Sequence, residues 1–295
     1  MKRREPFPTN LELRETNPDG SEGAGLSHTP GGMFLFHVLE LAADGEPRGG
    51  VTILHDAGDH GARYEELAQV LATDGWAISL PDLRGHGDSE GARGHAFGFG
   101  EVARDLIAVQ DHLCFMFPES PKVLVGTGLG ALYALAFALD KPERAAALVL
   151  INPLLEPRFR LPEAKGGLLG LFKKTGPTTP GQIGYAAEQL TRDAAERARM
   201  AADKFRHDAI TLQAGRSAQE LAAGLPARVS ELGCPVLLLL GGADPIAAPA
   251  LAERVLGARA EVKRYDGMLH DLLHDSGWEQ VVADIRTWLA RVLPR

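Results

Sequence analysis

The chain has 295 residues, of which 45% are hydrophobic and 24% are charged, as in an ordinary globular protein. Its formal net charge of -8 argues against a nucleic-acid-binding surface, and we find no apolar run long enough to span a membrane. The basic start is followed by polar, Pro- and Gly-rich sequence instead of a secretory signal. Cys114 and Cys234 lack metal-ligand spacing. We therefore expect a cytoplasmic protein with reduced thiols and no metal.

Residues 1–30 are rich in Pro, Gly, Asn and Ser, which predicts a flexible N-terminal arm. Apolar strands and helices then alternate, which is typical of a mostly parallel sheet with helices on both faces. We assign this α/β core to residues 31–152 and 234–295. The predicted strands are Met33–Leu41, Gly50–Leu54, Trp76–Leu80, Lys122–Val125, Ala145–Ile151, Val236–Leu240 and Glu261–Tyr265, and the predicted helices are Ala62–Thr73, Val102–Phe115, Leu129–Leu139 and Trp278–Val292.

Residues 153–233 interrupt this alternation. They contain no convincing strand and are Ala-rich, with helical sequence over Tyr185–Phe205 and Ala218–Ala223, so we predict a helical cap over the strand ends. Within the cap, Gly166–Lys174 combines Gly hinges, apolar residues and lysines. This composition fits a mobile lid that contacts lipid or a membrane transiently, and it fits an ordinary flexible loop equally well.

Two motifs carry a resemblance to a known family. His55–Tyr64 (HDAGDHGARY) is similar to the HGxGEHxxRY segment of monoacylglycerol lipases and lysophospholipases of the α/β-hydrolase superfamily. Pro81–Gly91 (PDLRGHGDSEG) resembles the DxRGHGxSxG loop of the same family. The resemblance extends over 32–292 and is weakest in the cap. It implies an α/β-hydrolase fold and a serine hydrolase's reaction, without a cofactor.

The same resemblance implies where the site lies. It places Asp244 on the family's catalytic acid, His270 on its histidine, and Gly128 on the nucleophile position of the strand-to-helix turn Gly126–Gly130. The order of turn, acid and histidine along the chain is that of α/β-hydrolase triads. By family position, the N–H groups of Ala57 and Leu129 form the oxyanion hole.

Two departures from the family pattern bear on function. The family carries Ser at the middle of the turn and Gly after the first histidine, whereas this chain has Gly128 and Asp56. Glycine has no hydroxyl group, so it cannot form the covalent acyl-enzyme of a serine hydrolase. A carboxylate next to the oxyanion hole repels the negative charge that develops there during ester hydrolysis. The same pair of changes resembles the N-myc downstream-regulated (Ndr) proteins, regarded as non-catalytic, although only in these two motifs.

These residues favour a catalytically degenerate member of the family that binds a small acyl or hydrophobic ligand between core and cap, near Asp56. Two alternatives stay open at this point. One is a serine-independent enzyme in which His270 and Asp244 act as a general base. The other is a carboxylester or lipid hydrolase whose nucleophile was replaced.

Overall fold

The computed structural model describes residues 3–14, 33–162 and 176–294. Within these ranges, eight strands form one sheet in the order β1-β2-β4-β3-β5-β6-β9-β10, and β7 and β8 form a separate pair. The strands are β1 (Phe7–Arg14), β2 (Met33–Leu41), β3 (Gly49–Leu54), β4 (Trp76–Pro81), β5 (Lys122–Thr127), β6 (Ala147–Ile151), β7 (Pro180–Gln182), β8 (Ala209–Thr211), β9 (Val236–Gly241) and β10 (Glu261–Tyr265).

The main sheet is parallel from β4 to β10. Strands β1 and β2 are antiparallel to their neighbours. The central strands, such as β5 and β9, are buried along their full length. Their near-continuous apolar sequence suits a sheet that is covered on both faces. The predicted α/β-hydrolase architecture, with a mostly parallel sheet, is confirmed.

Helices pack on both faces of the sheet because successive strand residues point to opposite sides. Leu238 belongs to the apolar cluster on the face covered by α3, whereas its neighbours Leu237 and Leu239 belong to the cluster under α1 and α8. The helices are α1 (Glu65–Thr73), α2 (Phe99–Met116), α3 (Gly128–Asp140), α4 (Ala187–Leu190), α5 (Ala194–Ala202), α6 (Leu212–Gly224), α7 (Pro249–Leu256) and α8 (Trp278–Val292). Each helix described here is too short or too polar to cross a bilayer.

The expectation of a flexible arm over residues 1–30 is wrong for residues 7–14. These residues form the edge strand β1, which pairs with β2 along its full length. Side chains fix the strand further, because the Thr9 hydroxyl donates to Glu40 and Gln69 exchanges hydrogen bonds with the Arg4 backbone. The turn-forming residues that suggested an arm follow this strand, at positions 15–32, outside the described residues.

The segment between the two core halves also differs in detail from its prediction. It contains the short antiparallel pair β7 and β8, so the expectation of no strand is wrong. The helix predicted over Tyr185–Phe205 is divided into α4 and α5, because Asp193 accepts hydrogen bonds from two N–H groups that begin α5. The predicted lid Gly166–Lys174 lies outside the described residues.

Candidate active site

The turn between β5 and α3 has the geometry of a nucleophile elbow. Gly128 begins α3 with φ of 51°, in the left-handed region that glycine adopts at least cost. Gly130 is needed for close packing, because a Cβ there would lie 2.4 Å from the carbonyl oxygen of Leu54. The strand-to-helix turn is therefore built as the sequence predicts, and it presents no hydroxyl at position 128.

The predicted acid and histidine meet at the carboxyl ends of the parallel strands. His270 Nδ1 lies 2.8 Å from Asp244 Oδ2, and the imidazole is buried. Asp244 Oδ1 accepts the N–H groups of Ile246 and Ala247, at 2.7 and 3.1 Å. The carboxylate is thereby fixed on its own turn and can hold the imidazole in one orientation.

Asn152 is a supporting residue that the sequence analysis missed. It follows β6 with a left-handed φ of 43°. Its amide nitrogen donates to the carbonyl oxygen of His270 at 2.7 Å, and its amide oxygen accepts the N–H of Gly241 at 2.9 Å. Asn152 thus ties the histidine loop to the end of β9. The sequence does carry a signal for this role, which is an Asn directly after an apolar strand. Asn adopts the left-handed backbone conformation more readily than most residues, so it is suited to a turn at a strand end.

Asp56 occupies the centre of the site. Its Oδ1 accepts the N–H of Leu129 at 2.7 Å, and its Oδ2 lies 3.0 Å from His270 Nε2. The N–H of Leu129 is one of the two groups predicted to form the oxyanion hole. The carboxylate therefore bonds to the predicted oxyanion-hole donor and to the imidazole of His270 at the same time. The resemblance predicts that Asp56 lies beside this donor, and the structure places the Asp56 carboxylate directly on the Leu129 N–H.

Gly128 and Asp56 form one steric unit. A Cβ added at Gly128 would lie 1.9 Å from Asp56 Oδ1 and 2.2 Å from its carboxyl carbon. Real Cβ atoms do not approach other heavy atoms so closely, so a side chain at position 128 requires Asp56 to move. The two departures from the family pattern are consequently coupled, because the carboxylate takes the space of the missing side chain.

The two carboxylates keep the imidazole charged. Burial by itself disfavours the charged form of His270, but Asp244 and Asp56 outweigh it and raise the pKa of His270 to about 10. At neutral pH, the imidazolium donates Nδ1–H to Asp244 and Nε2–H to Asp56. An imidazolium cannot accept a proton, which argues against His270 as a general base while Asp56 is in place.

A buried ionic network fixes the loop that carries Asp56. The guanidinium of Arg63 contacts Asp59 at 2.8 Å, Glu196 of α5 at 2.7 Å and Asp271 at 2.9 Å. His274 pairs with Asp271 through Nδ1 at 2.7 Å. The network therefore joins the loop after β3, the inserted segment and the histidine loop.

Two narrow cavities adjoin the loop that carries Asp56. A polar cavity contains Asp56, Tyr185, Arg206 and His270 in its lining. Within the described ranges, the buried hydroxyl of Tyr185 has no hydrogen-bond partner. The second cavity is apolar, and Ala57 lines both cavities. The apolar lining includes Leu83, Ala96, Val102, Leu129, Ile183 and Ile210.

In the described part of the chain, one group of side chains has the spacing of metal ligands. His37, Asp82 and Asp88 offer ligand atoms within 4.8 Å of one another. Asp82 already accepts the N–H groups of Gly61 and Asp88, at 2.7 and 2.9 Å, and pairs with His37. These contacts account for the cluster as a support of the turn after β4, and it does not adjoin Asp56 or His270.

The eight-stranded sheet, the elbow after β5 and the acid and histidine after the last two strands define an α/β-hydrolase. The chain belongs to the hydrolase family described as Serine aminopeptidase, S33, whose family model matches residues 45–277.

The chain is similar to monoacylglycerol lipases. It is 28% identical to the monoacylglycerol lipase of Mycolicibacterium smegmatis over 83% of this chain and 89% of that protein. It is 28% identical to the monoglyceride lipase of Homo sapiens over 88% of each chain. Among solved structures, the monoacylglycerol lipase of Paleococcus ferrophilus superposes with a TM-score of 0.75 at 23% identity, covering 87% of this chain and 99% of that one.

Proposed function

We propose that this monoacylglycerol lipase-like α/β-hydrolase lacks serine-based ester hydrolysis and binds a small acyl or hydrophobic ligand between its core and the segment 153–233. Gly128, Asp244 and His270 then represent the remains of a triad, and Asp56, Ala57 and Leu129 form the ligand-facing side of the site. The proposal also includes a cytoplasmic location and transient contact with lipid through the inserted segment.

One observation carries the proposal. The Asp56 carboxylate bonds to the Leu129 N–H and to His270 Nε2, and it fills the space that a side chain at position 128 needs. A hydrolase requires those two groups for the oxyanion and for the proton of its nucleophile. In this chain, both are engaged by a side chain of the protein itself.

The ligand assignment is supported by the apolar cavity beside Ala57. Its lining is mostly aliphatic and includes Leu129, whose N–H bonds to Asp56 at the centre of the site. Such a cavity suits a short acyl chain or another small apolar group, because burial of apolar surface is the main source of its affinity.

The serine-independent alternative is favoured by the intact contact between His270 and Asp244 at 2.8 Å. It requires a neutral imidazole, whereas Asp56 and Asp244 together hold His270 as an imidazolium. Any such reaction therefore needs Asp56 to leave His270 first. A hydrolase that lost only its serine is less compatible with Asp56, since a serine at position 128 would collide with it.

The proposal is tested by turnover and by active-site labelling. We expect the protein to leave a monoacylglycerol and a short p-nitrophenyl ester unhydrolysed beyond the buffer rate, and to resist a fluorophosphonate probe. A His270→Ala variant serves as the matched control for background hydrolysis. Turnover by the parent that disappears in His270→Ala, or stoichiometric labelling of the parent, would overturn the proposal.

A further inference from the structure

We propose that Asp56 is an internal ligand of a carboxylate-binding site, and that the anion of a short-chain alkanoic acid competes with it for the Leu129 N–H and the His270 imidazolium. The inference rests on the proposed function, because it names the ligand class of the same site. With Asp56 in the site, the protein would be inhibited from binding its external ligand. That ligand would be the alkanoate anion, which must displace the Asp56 carboxylate.

The geometry around Asp56 is that of a bound carboxylate. Its two oxygens are divided between two donors, the Leu129 N–H at 2.7 Å and His270 Nε2 at 3.0 Å. The first donor belongs to the first turn of α3, a helix of 13 residues whose dipole favours an anion at this end. The second donor is buried and cationic. These groups recognise a carboxylate whether or not it is attached to residue 56.

The apolar cavity supplies the selectivity for an alkyl chain. Leu129 donates its N–H to the carboxylate, and Leu129 and Ala57 both line the apolar cavity. An alkanoate whose head group replaces Asp56 would therefore reach the cavity with its chain. A neutral ester of the same length would gain the apolar contact but lose the charge-assisted hydrogen bonds.

The polar cavity provides a place for the displaced side chain. Asp56 lines it, as do Arg206 and Tyr185, and the buried hydroxyl of Tyr185 has no hydrogen-bond partner among the described residues. Both are donors, and Tyr185 is edge-on to the His270 ring with centroids 5.7 Å apart. Arg206 also lies 3.6 Å from Asp59, so its charge is partly balanced already. The hydroxyl of Tyr185 is the donor best suited to receive the Asp56 carboxylate.

Titration calorimetry with butanoate at neutral pH tests the proposal. We expect Asp56→Gly to bind butanoate at least about tenfold more tightly than the parent, since the internal competitor is gone. Asp44→Gly, which removes an exposed carboxylate from a surface loop, is the matched control and should bind like the parent. Adding His270→Ala to Asp56→Gly should abolish the gain, and methyl butanoate should bind the parent and Asp56→Gly equally weakly.

The proposal fails if folded Asp56→Gly binds butanoate no more tightly than the parent, or if the affinity for methyl butanoate rises as much as that for butanoate. Should Asp56→Gly not fold, Asp56→Asn gives the same test, because its neutral amide is a poorer partner for an imidazolium. These failures would leave the proposed lack of hydrolysis intact. Ester turnover by the parent, in contrast, would overturn the proposed function whatever the calorimetry shows.

Discussion

The double variant Gly128→Ser/Asp56→Gly is expected to hydrolyse short esters, whereas each single variant is expected to stay inactive. In Gly128→Ser alone, the new Cβ would lie 1.9 Å from Asp56 Oδ1, so the serine and the carboxylate cannot share the site. In Asp56→Gly alone, the site is open but has no nucleophile. The double variant frees the Leu129 N–H and removes one of the two carboxylates that keep His270 charged.

We expect the double variant to exceed either single variant on the order of 10³-fold in kcat/KM for a p-nitrophenyl ester, because triad residues act together and not additively. A fluorophosphonate should label the double variant alone. His270→Ala in the double background should return the rate to that of the single variants. Full activity of Gly128→Ser by itself would show that Asp56 does not occupy the site.

Loss of Arg63 is expected to have the largest effect on stability. Its side chain is 7% exposed and contacts three carboxylates that are equally buried, those of Asp59, Glu196 and Asp271. Although burial alone favours the neutral acid, Arg63 and Arg206 hold the pKa of Asp59 below its usual value. Arg63→Ala leaves these carboxylates close together without the cation that they share, so we expect a loss of about 3 to 5 kcal/mol in the free energy of unfolding.

Urea unfolding at neutral pH measures this loss. The matched control is Arg158→Ala, which removes an ion pair to Glu156 whose partners are both mostly exposed and should cost less than about 1 kcal/mol. The difference between the two variants should shrink at acid pH, where Asp59 and Asp271 take up protons in Arg63→Ala. Equal effects of the two substitutions would mean that the buried network does not join the loop after β3 to the rest of the chain.

The parallel sheet that carries the site could be predicted from the sequence. The period of the apolar strands predicts a parallel sheet, because buried strands leave a local signal in the sequence. The positions of Gly128, Asp244 and His270 in the site are implied by the family resemblance and not by periodicity. The structure brings these three residues to the same edge of the sheet, whereas the roles of Gly128 and Asp56 stay predictions.

The steric coupling of Asp56 to Gly128 could not be derived in the same way. Asp56 and Leu129 are 73 residues apart, and their contact depends on the rotamer of one side chain inside the assembled site. The supporting role of Asn152 depends on two loops meeting in three dimensions. Strand β1 was missed because its pairing partner, not its own composition, holds it in the sheet.

The most direct test of the account is nuclear magnetic resonance of the His270 ring nitrogens and the Leu129 amide near pH 8, in the parent and in Asp56→Asn. With a pKa of about 10, His270 should carry both ring protons at that pH and lose one only as the pH rises further. The Leu129 N–H should show the downfield shift of a proton donated to a carboxylate, and Asp56→Asn should remove it and lower the pKa of His270. A neutral imidazole near pH 8, with a Leu129 amide indifferent to Asp56→Asn, would contradict the claim that Asp56 occupies the catalytic centre.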